Sequence, residues 1–466
     1  MKAILSISFV LFILCSIESK SLNVKHSRKP IFKDFYGKLT PEVRGNPGEP
    51  LILTDLIKAG KLDEAQNEAL VQGLDTDVKS YSGYFTVDEQ HNSNIFFWFF
   101  PSQSDASSDP VVLWLQGGPG STSMFGLFQE NGPLLLKDGE LGVRPTSWNR
   151  NHSVIYIDQP VGTGWSFTDG GYANDQNKVA ADLYEALQQF FTLFYQYQDR
   201  DFFVTGESYG GKYVPAISYE IHQRNEDAEL KINLKGLAIG NGFTDPIVQM
   251  RYSEYVYQHG LIDLNTKNSL HNLENKAVQA IQSEEYYDAF LLWDDIVNTI
   301  QDFTELDIYN YLTLKGSAAD EEELNEFFSK EEVRKAIHVG ATEFGDGQVY
   351  THLEKDIPKS EAYKVAELLK YYRVLIYNGQ TDLIVPYALT VNYLQRLKFP
   401  GSEDYAEADR TVWHDDNDRS VVAGYAKTAG KLTEIMVRNS GHMVPTDQPE
   451  WALQLINKFT RNVPFN

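Results

Sequence analysis

Cysteine is almost absent from this chain of 466 residues, which contains one, Cys15. Cys15 lies in an apolar N-terminal run of the kind that is removed on secretion, so we expect the mature protein to contain no cysteine. Intramolecular disulfides, thiolate metal ligands and a cysteine nucleophile are then excluded. A chain of this length can bury a core large enough to be stable without such cross-links.

Long hydrophobic runs are also missing after the N-terminus. Lys2 is followed by an apolar stretch from Ala3 to Cys15 that is too short to span a bilayer comfortably. This pattern predicts a secretory signal peptide over residues 1–20, with a buried N-terminal helix as the alternative. No later run approaches the roughly 20 apolar residues of a membrane helix, so we expect no membrane anchor in the mature form.

Positive charge is scarce. The chain has 41 Lys and Arg against 65 Asp and Glu, a net charge of −24 and an isoelectric point of about 4.8. Such a surface repels nucleic acid and anionic membranes, so we expect neither as a partner. The ten histidines are scattered and form no H-E-x-x-H pattern, so the sequence predicts no metal site.

The chain shows no internal repeat, but its composition changes along its length. Residues 21–79 are predicted to form an N-terminal arm or a pro-segment. From residue 80, short apolar runs rich in β-formers alternate with helical spacing, which predicts an α/β fold with a mostly parallel sheet. Residues 245–367 are rich in Asp, Glu and helix formers. We interpret them as an inserted helical cap between two parts of one core, residues 80–244 and 368–466.

One short stretch, FFVTGESYGGKYVPA, holds the motif GESYG at residues 206–210 between a predicted strand and a predicted helix. A nucleophile elbow needs both elements, because its sharp turn lifts the serine hydroxyl clear of the sheet edge. A phosphate loop is the second interpretation, but Tyr213 stands where that loop has Ser or Thr, and Glu207 would put a carboxylate into an anion cradle. A glycine-rich connection without chemistry is the third.

A serine nucleophile needs a base, and the base needs an orienting partner. In elbow hydrolases these partners follow in the chain order Ser, Asp or Glu, and His, on loops after later strands. Asp382 ends the stretch VLIYNGQTD and His442 ends EIMVRNSGH. The sequence therefore predicts a triad of Ser208, Asp382 and His442. Taken singly, a turn-capping Asp and a surface His are the plainer interpretations.

An acyl-enzyme mechanism also needs donors for an oxyanion. The first predicted donor is the backbone N–H of Tyr209, the residue after the nucleophile. The second should come from a loop after an earlier strand, and VVLWLQGGPG, residues 111–120, is such a strand and loop. Glycine in that loop lets the backbone approach the substrate closely.

These residues resemble the serine carboxypeptidases, which have the α/β-hydrolase fold with helices on both faces of the sheet. The resemblance covers nearly everything from residue 80 onward and rests on the stretches WLQGGPG, YIDQPVGTG, GESY, GHMVP and DQP. Gln116 and the stretches SMFGLF and NGQTDLIV look most like the vitellogenic-carboxypeptidase-like branch. The family implies removal of one C-terminal amino acid from peptides at acid pH, without a cofactor or metal. It also implies a lysosome-like compartment or the cell exterior.

Position by position, the resemblance implies the same triad. It implies that the oxyanion donors are the N–H groups of Gly118 and Tyr209. The residues it implies for the substrate's free carboxylate are Gln116, Gly117, Glu130 and Glu207. It implies that Phe125 and Met443 face the leaving residue of the substrate. It also implies that Ile384 and Val385 face the substrate residue before the leaving one.

This chain departs from the family pattern in four ways. Gln116 replaces the more usual Asn, Ser121 replaces a frequent Cys, Gly210 replaces the usual Ala, and the family's disulfides are missing. An acyltransferase on the same scaffold and a catalytically silent binding or storage protein are the rival functions. The sequon at Asn151 abuts a predicted strand, so its use for glycosylation stays open. The oligomeric state is open as well, with a homodimer as one alternative.

Overall fold

The computed structural model describes residues 39–314, 319–345 and 347–466. The predicted signal peptide with Cys15, and the first part of the predicted arm, lie outside these residues. The described arm contains two short helices, α1 (Thr54–Lys58) and α2 (Leu62–Ala69). Its backbone pairs with the first strand, since Tyr84 N donates to Leu51 O at 2.9 Å and Leu53 N donates to Tyr84 O at 3.0 Å. This part of the arm is therefore packed against the sheet.

The next part of the chain contains strands separated by helices. The strands are β1 (Tyr81–Asp88), β2 (Ser93–Phe100), β3 (Val111–Leu115), β4 (Leu134–Lys137), β5 (Glu140–Val143), β6 (Ser153–Ile157), β7 (Phe202–Glu207) and β8 (Leu234–Gly240). The helices are α3 (Ser123–Phe125), α4 (Gln176–Leu193) and α5 (Gly210–Arg224). One π-helical turn, Gly126–Glu130, and two 3-10 turns, Trp148–Arg150 and Tyr195–Tyr197, complete this part.

Helices dominate the described residues between β8 and the next strand of the sheet. They are α6 (Pro246–Gln249), α7 (Ser253–Gln258), α8 (Leu264–Gln282), α9 (Tyr286–Thr304), α10 (Ala319–Ser329), α11 (Glu331–Ala336), α12 (Gln348–Leu353) and α13 (Ala362–Leu368). That this segment is a separate cap with bounds at residues 245 and 367 stays a prediction. Within the described ranges, every helix is too short or too polar to cross a membrane.

The last part of the chain returns to the sheet. Its strands are β9 (Arg373–Gly379), β10 (Thr411–His414), β11 (Val422–Ala429) and β12 (Leu432–Val437). Its helices are α14 (Tyr387–Leu394), α15 (Ser402–Glu407), α16 (Val444–Asp447) and α17 (Pro449–Thr460).

Ten strands form one sheet in the order β1-β2-β6-β3-β7-β8-β9-β12-β11-β10. The six strands from β6 to β12 in this order are mutually parallel, and the pairs at both edges are antiparallel. The prediction of a mostly parallel sheet is therefore confirmed. Because parallel strands end at one edge of a sheet, the loops after β3, β7, β8, β9 and β12 lie close together.

Apolar side chains of the central strands alternate between two cores. Leu113 and Val204 pack into the core that contains α4 and α5, whereas Val112 and Phe203 pack into the core that contains α17. Successive residues of a strand point to opposite faces, so helices cover both faces of the sheet as predicted. Each fully buried aliphatic or aromatic side chain contributes about 1.5–3 kcal/mol, which explains the continuous apolar runs of these strands.

Candidate active site

The elbow between β7 and α5 holds Ser208 in a left-handed conformation, with φ at 62°. This conformation costs a residue other than glycine about 1–3 kcal/mol, so the surroundings must hold it. Ser208 N donates to Gly240 O at 3.1 Å, and Ser208 O accepts from Gly211 N and Phe243 N, both at 2.9 Å. Three backbone hydrogen bonds therefore fix the turn that was predicted from the motif.

The loop after β3 lies directly against this elbow. A Cβ atom added to Gly117 would stand 2.6 Å from Tyr209 N, 2.7 Å from Glu207 O and 2.7 Å from Ser208 Cβ. Two of these neighbours are backbone atoms, which cannot move aside without moving the turn. Glycine is therefore required at position 117 for the two loops to meet.

Asp382 and His442 form the hydrogen-bonded pair expected of the triad. Asp382 Oδ2 lies 2.8 Å from His442 Nδ1, and both side chains are fully buried. Asp382 also accepts from Ile384 N at 2.7 Å and Val385 N at 3.2 Å through Oδ1, and from the Asn241 side chain at 2.6 Å through Oδ2. A carboxylate with these donors is an acceptor, so Nδ1 of His442 carries the proton.

The other ring nitrogen of His442, Nε2, is buried and has no hydrogen-bond partner among the described residues. With the proton on Nδ1, Nε2 is the basic nitrogen and is available to accept the proton of a nucleophile. Behind the ring lies Tyr309, whose ring centroid is 5.0 Å away and whose carbonyl accepts from His442 N at 2.7 Å. The base is therefore held in one orientation with one free nitrogen.

The two N–H groups predicted to stabilise an oxyanion, those of Gly118 and Tyr209, flank the elbow. Neither donates a backbone hydrogen bond within the described ranges. Gly118 has φ at 107°, a conformation that favours glycine. Both donors are thus available for a ligand, and their role as an oxyanion hole stays a prediction.

A carboxyl pair, Glu130 and Glu207, is fully buried next to the elbow together with Gln116. Gln116 Nε2 donates to Glu130 Oε1 at 3.0 Å and to Glu207 Oε1 at 3.3 Å. Gln116 Oε1 accepts from Trp114 Nε1 at 2.9 Å, which fixes the amide so that its N–H groups face the carboxyl groups. The structure therefore brings together three of the four residues implied for the carboxylate site, and the fourth, Gly117, adjoins the elbow.

Burial raises the pKa of both carboxyl groups. The pKa of Glu207 lies well above its ordinary value because of burial first, and then because of the charge of Glu130 and the hydrogen bond with it. For Glu130, the same hydrogen bond and the one from Gln116 oppose the effect of burial on the pKa. Burial and mutual repulsion therefore both favour a proton on this carboxyl pair, and its titration belongs to the pair and not to either residue.

The four predicted side-chain contacts differ in exposure. Phe125, the last residue of α3, and Met443, the residue before α16, are half-buried. Ile384 and Val385 are only 1% and 2% exposed. The backbone N–H groups of the last two bind Asp382, as described above. Their role toward the residue before the leaving one stays a prediction.

Asn151, the predicted glycosylation site, is half-buried, and its carbonyl accepts from Arg461 Nη2 at 2.9 Å. The third residue of the sequon, Ser153, is fully buried in β6. In the folded protein the sequon therefore leads directly into the start of β6, an interior strand of the sheet.

Sequence reasoning missed Asn241 and Tyr309, which hold Asp382 and His442. Only the strand-ending Gly240-Asn241-Gly242 run offered a signal for one of them.

The model of the serine carboxypeptidase family matches residues 71–462 of the chain. The chain belongs to the serine carboxypeptidase family. A venom serine carboxypeptidase from Apis mellifera is 50% identical over 433 residues, which cover 90% of this chain and 92% of that one. A vitellogenic carboxypeptidase from Aedes aegypti is 42% identical over 449 residues, which cover 92% and 94%.

One solved structure supports the same family fold. The crystal structure of a prohormone-processing carboxypeptidase from Saccharomyces cerevisiae superposes with a TM-score of 0.75 at 25% identity, and covers 85% of this chain and 96% of that chain. The α/β-hydrolase fold of the serine carboxypeptidases is therefore present, and the protein is a serine-type carboxypeptidase acting on peptides. The individual residue roles belong to the proposal below.

Replacing Gly117 with alanine should disable this carboxypeptidase. The new Cβ would collide with backbone atoms of the elbow, and a displacement of about 1 Å at a catalytic group costs on the order of 100-fold in rate. We expect kcat/KM on a blocked dipeptide to fall by about that factor. Gly142→Ala is the matched control, since its Cβ would meet a single side-chain atom, 3.9 Å away. Full activity of Gly117→Ala would contradict the described contact.

Proposed function

We propose that the protein releases single amino acids from the free C-termini of peptides at acid pH, through an acyl-enzyme on Ser208. The observation that carries this proposal is the fully buried Glu130–Glu207 pair beside the elbow. An endopeptidase has no use for such a group, because it cuts within a chain where no carboxylate follows the scissile bond. A protonated carboxyl at this place suits a substrate that ends there.

The triad supplies the chemistry. Ser208 Oγ attacks the carbonyl carbon of the last peptide bond, and its proton passes to Nε2 of His442. The N–H groups of Gly118 and Tyr209 bind the oxygen, which takes the electron pair of the C=O bond. On collapse the C–N bond breaks, and the proton on His442 goes to the leaving amine. Water then repeats these steps on the ester, and the proton returns to Ser208.

Asp382 makes each proton transfer easier without taking a proton itself. Its hydrogen bond to Nδ1 fixes the tautomer of His442, and its charge stabilises the imidazolium that forms in each step. Removing one oxyanion donor costs on the order of 100–1,000-fold in other hydrolases, so each of the two N–H groups is expected to contribute a rate factor of that order.

The carboxyl pair would bind the terminal carboxylate of the substrate. Two ionised carboxylates would repel a third, whereas a protonated one donates a hydrogen bond to it. Gln116 contributes further N–H groups in the same place. Because burial and mutual repulsion raise the pKa of the pair, the proton is retained at mildly acidic pH. This accounts for recognition of a free C-terminus without an arginine or lysine among the residues of the predicted site.

An acidic or extracellular location would match this chemistry. The net charge of −24 falls in magnitude as carboxylates protonate, so acidic conditions reduce self-repulsion. One of the relatives is a venom protein by name, which supports passage through the secretory pathway. The acyltransferase alternative is not favoured, since the relatives reported above are all named as carboxypeptidases. A homodimer, glycosylation of Asn151 and a signal peptide stay predictions.

Ser208→Ala should lower kcat by several orders of magnitude and abolish labelling by a serine-directed fluorophosphonate. The reason is that the proposed mechanism forms its acyl-enzyme on the Ser208 hydroxyl, which alanine lacks. Far-UV circular dichroism should remain that of the wild type, and a metal chelator should have no effect on the wild-type rate. Labelling of another residue, identified by mass spectrometry of the digested adduct, would contradict the assignment.

Amidation of a peptide's C-terminus should remove most of its reactivity. The amide lacks the charge that makes each hydrogen bond to the carboxylate worth about 1.5–3 kcal/mol, which corresponds to about 10- to 100-fold in kcat/KM for each bond lost. The comparison uses one blocked dipeptide in its free and amidated forms at pH 5. Equal rates, or internal cuts detected by mass spectrometry, would show that the free C-terminus is not recognised.

KM for a hydrophobic blocked dipeptide should climb with pH. The raised pKa of the pair means that the proton is bound at acid pH and lost as the pH rises through the upper step, where the added negative charge repels the substrate. Glu207→Gln and Glu130→Gln should each flatten this rise, because an amide keeps a donor and cannot ionise. Their KM at acid pH should change little.

The same variants separate this role from a purely structural one. A glutamate pair that only braces the turn would leave KM independent of pH in the wild type, and the Gln variants would keep the wild-type profile. The pH dependence of kcat provides an internal control. Its profile should be the same in all three proteins, because the substitutions leave Ser208, Asp382 and His442 unchanged.

A further inference from the structure

The side chain of Tyr209 is anchored to a carboxylate from a distant part of the chain. Its hydroxyl donates to Asp356 Oδ2 at 2.7 Å, and the two residues are 147 positions apart. Gln176 Nε2, at the start of α4, donates to the same oxygen at 2.7 Å and to the Tyr209 hydroxyl at 3.3 Å. Asp356 lies between α12 and α13, so three separate segments meet at this hydrogen-bonded cluster.

A buried lysine holds the carboxylate in place. Lys212, from the first turn of α5, is 0% exposed, and its Nζ lies 3.3 Å from Asp356 Oδ2. The same ammonium donates to the backbone carbonyls of Asp356, Ile357 and Lys359. It therefore ties the whole segment from residue 356 to 359 to the helix that follows the nucleophile.

The charges of this cluster are consistent with an ion pair. Burial by itself would raise the pKa of Asp356, but the Lys212 charge and the hydrogen bonds from Tyr209 and Gln176 outweigh it and lower that pKa. Burial lowers the pKa of Lys212, and the charge of Asp356 opposes this shift. With four oxygen acceptors around its Nζ, the lysine remains an ammonium.

Tyr209 is the residue whose backbone N–H is proposed as an oxyanion donor. Its N–H direction depends on the left-handed turn at Ser208, which is strained, and on the position of its own side chain, which is only 2% exposed. Besides the Asp356 contact, its ring packs edge-to-face on Tyr213 with centroids 5.0 Å apart. A rigid side chain on one side of the peptide group thus limits how far the N–H can rotate.

We propose that Asp356, held by Lys212, is a positioning residue that fixes the Tyr209 N–H toward the oxyanion through the Tyr209 hydroxyl. This inference rests on the proposed acyl-enzyme function. Asp356 touches no reacting atom, so its effect must pass through Tyr209. An N–H that is pre-oriented stabilises the oxyanion without reorganisation during the reaction, which is the source of most oxyanion-hole catalysis.

The first test is Tyr209→Phe, which removes the hydroxyl and leaves the ring and the backbone N–H. We expect kcat to fall about 10-fold with KM unchanged, because binding of the substrate's carboxylate does not use this N–H while the transition state does. Affinity for a peptide boronic acid, whose tetrahedral adduct carries the oxyanion, should fall by the same factor as kcat/KM. Tyr405→Phe is the matched control. Tyr405 is equally buried, and its hydroxyl donates to the carboxylate of Glu434, which lies 29 positions further along the chain.

The second test uses pairs of substitutions that remove the buried charge together. Asp356→Asn alone would strand the Lys212 charge and risk unfolding, so it is combined with Lys212→Met. This pair keeps an oxygen acceptor for Tyr209 and should lose clearly less kcat than a pair that lacks the acceptor. Lys212→Met with Asp356→Leu removes the acceptor and should reproduce the 10-fold loss. Adding Tyr209→Phe to the leucine pair should cause no further loss, since the interaction is already absent.

These outcomes separate the inference from the proposed function. Activity in Ser208→Ala would overturn the acyl-enzyme itself. If Ser208→Ala is inactive while Tyr209→Phe retains the wild-type kcat and boronic acid affinity, the positioning role alone is wrong. If Tyr209→Phe lowers the melting temperature but keeps the wild-type kcat and boronic acid affinity, the cluster serves stability only. If kcat falls equally in the two double variants, Lys212→Met with Asp356→Asn and Lys212→Met with Asp356→Leu, the acceptor oxygen at position 356 is irrelevant.

Discussion

The active site depends on the close approach of two backbones at the end of β7. Ser208 can hold its left-handed conformation only because Gly240 O, Gly211 N and Phe243 N bind its peptide groups. The loop of Gly117 then packs so tightly on this turn that no side chain fits between them. Glycine at position 117 is therefore required by the geometry, and the three backbone hydrogen bonds of Ser208 offset the strain at the serine.

Buried carboxyl groups around this turn receive different numbers of donors and therefore take different roles. Asp382 accepts from two backbone N–H groups, an asparagine amide and His442, which suits an anion. Glu207 accepts from a single amide and faces another carboxyl, which suits a neutral acid. In the proposed mechanism, the same side-chain chemistry provides an electrostatic support for the base and a hydrogen-bond donor for the substrate.

Sequence alone predicts the parts of this fold whose signal is local. The strand predicted in VVLWLQGGPG is β3, and the strand predicted before GESYG is β7. Buried parallel strands are continuous apolar runs, so their signal is local. The edge strand β10 was missed, since two of its four residues are exposed and its pattern is weak. The hydrogen-bonded pair of Asp382 and His442 agrees with the order of the motifs, whereas Tyr309 and Asp356 have no local signal and Asn241 had only the Gly240-Asn241-Gly242 run. Their function arises from contacts with residues up to 147 positions away.

The helical segment between β8 and β9 contacts several residues of the predicted site. Tyr309 packs on the ring of His442, and Ile308 O accepts from Leu383 N at 3.0 Å, next to the triad aspartate. Asp356 reaches the other side of the site through Tyr209. A parallel sheet presents its loops at one edge but leaves them without support on the solvent side. Contacts from this helical segment to His442 and, through Asp356, to Tyr209 support the loops of the predicted site in a chain that has one cysteine.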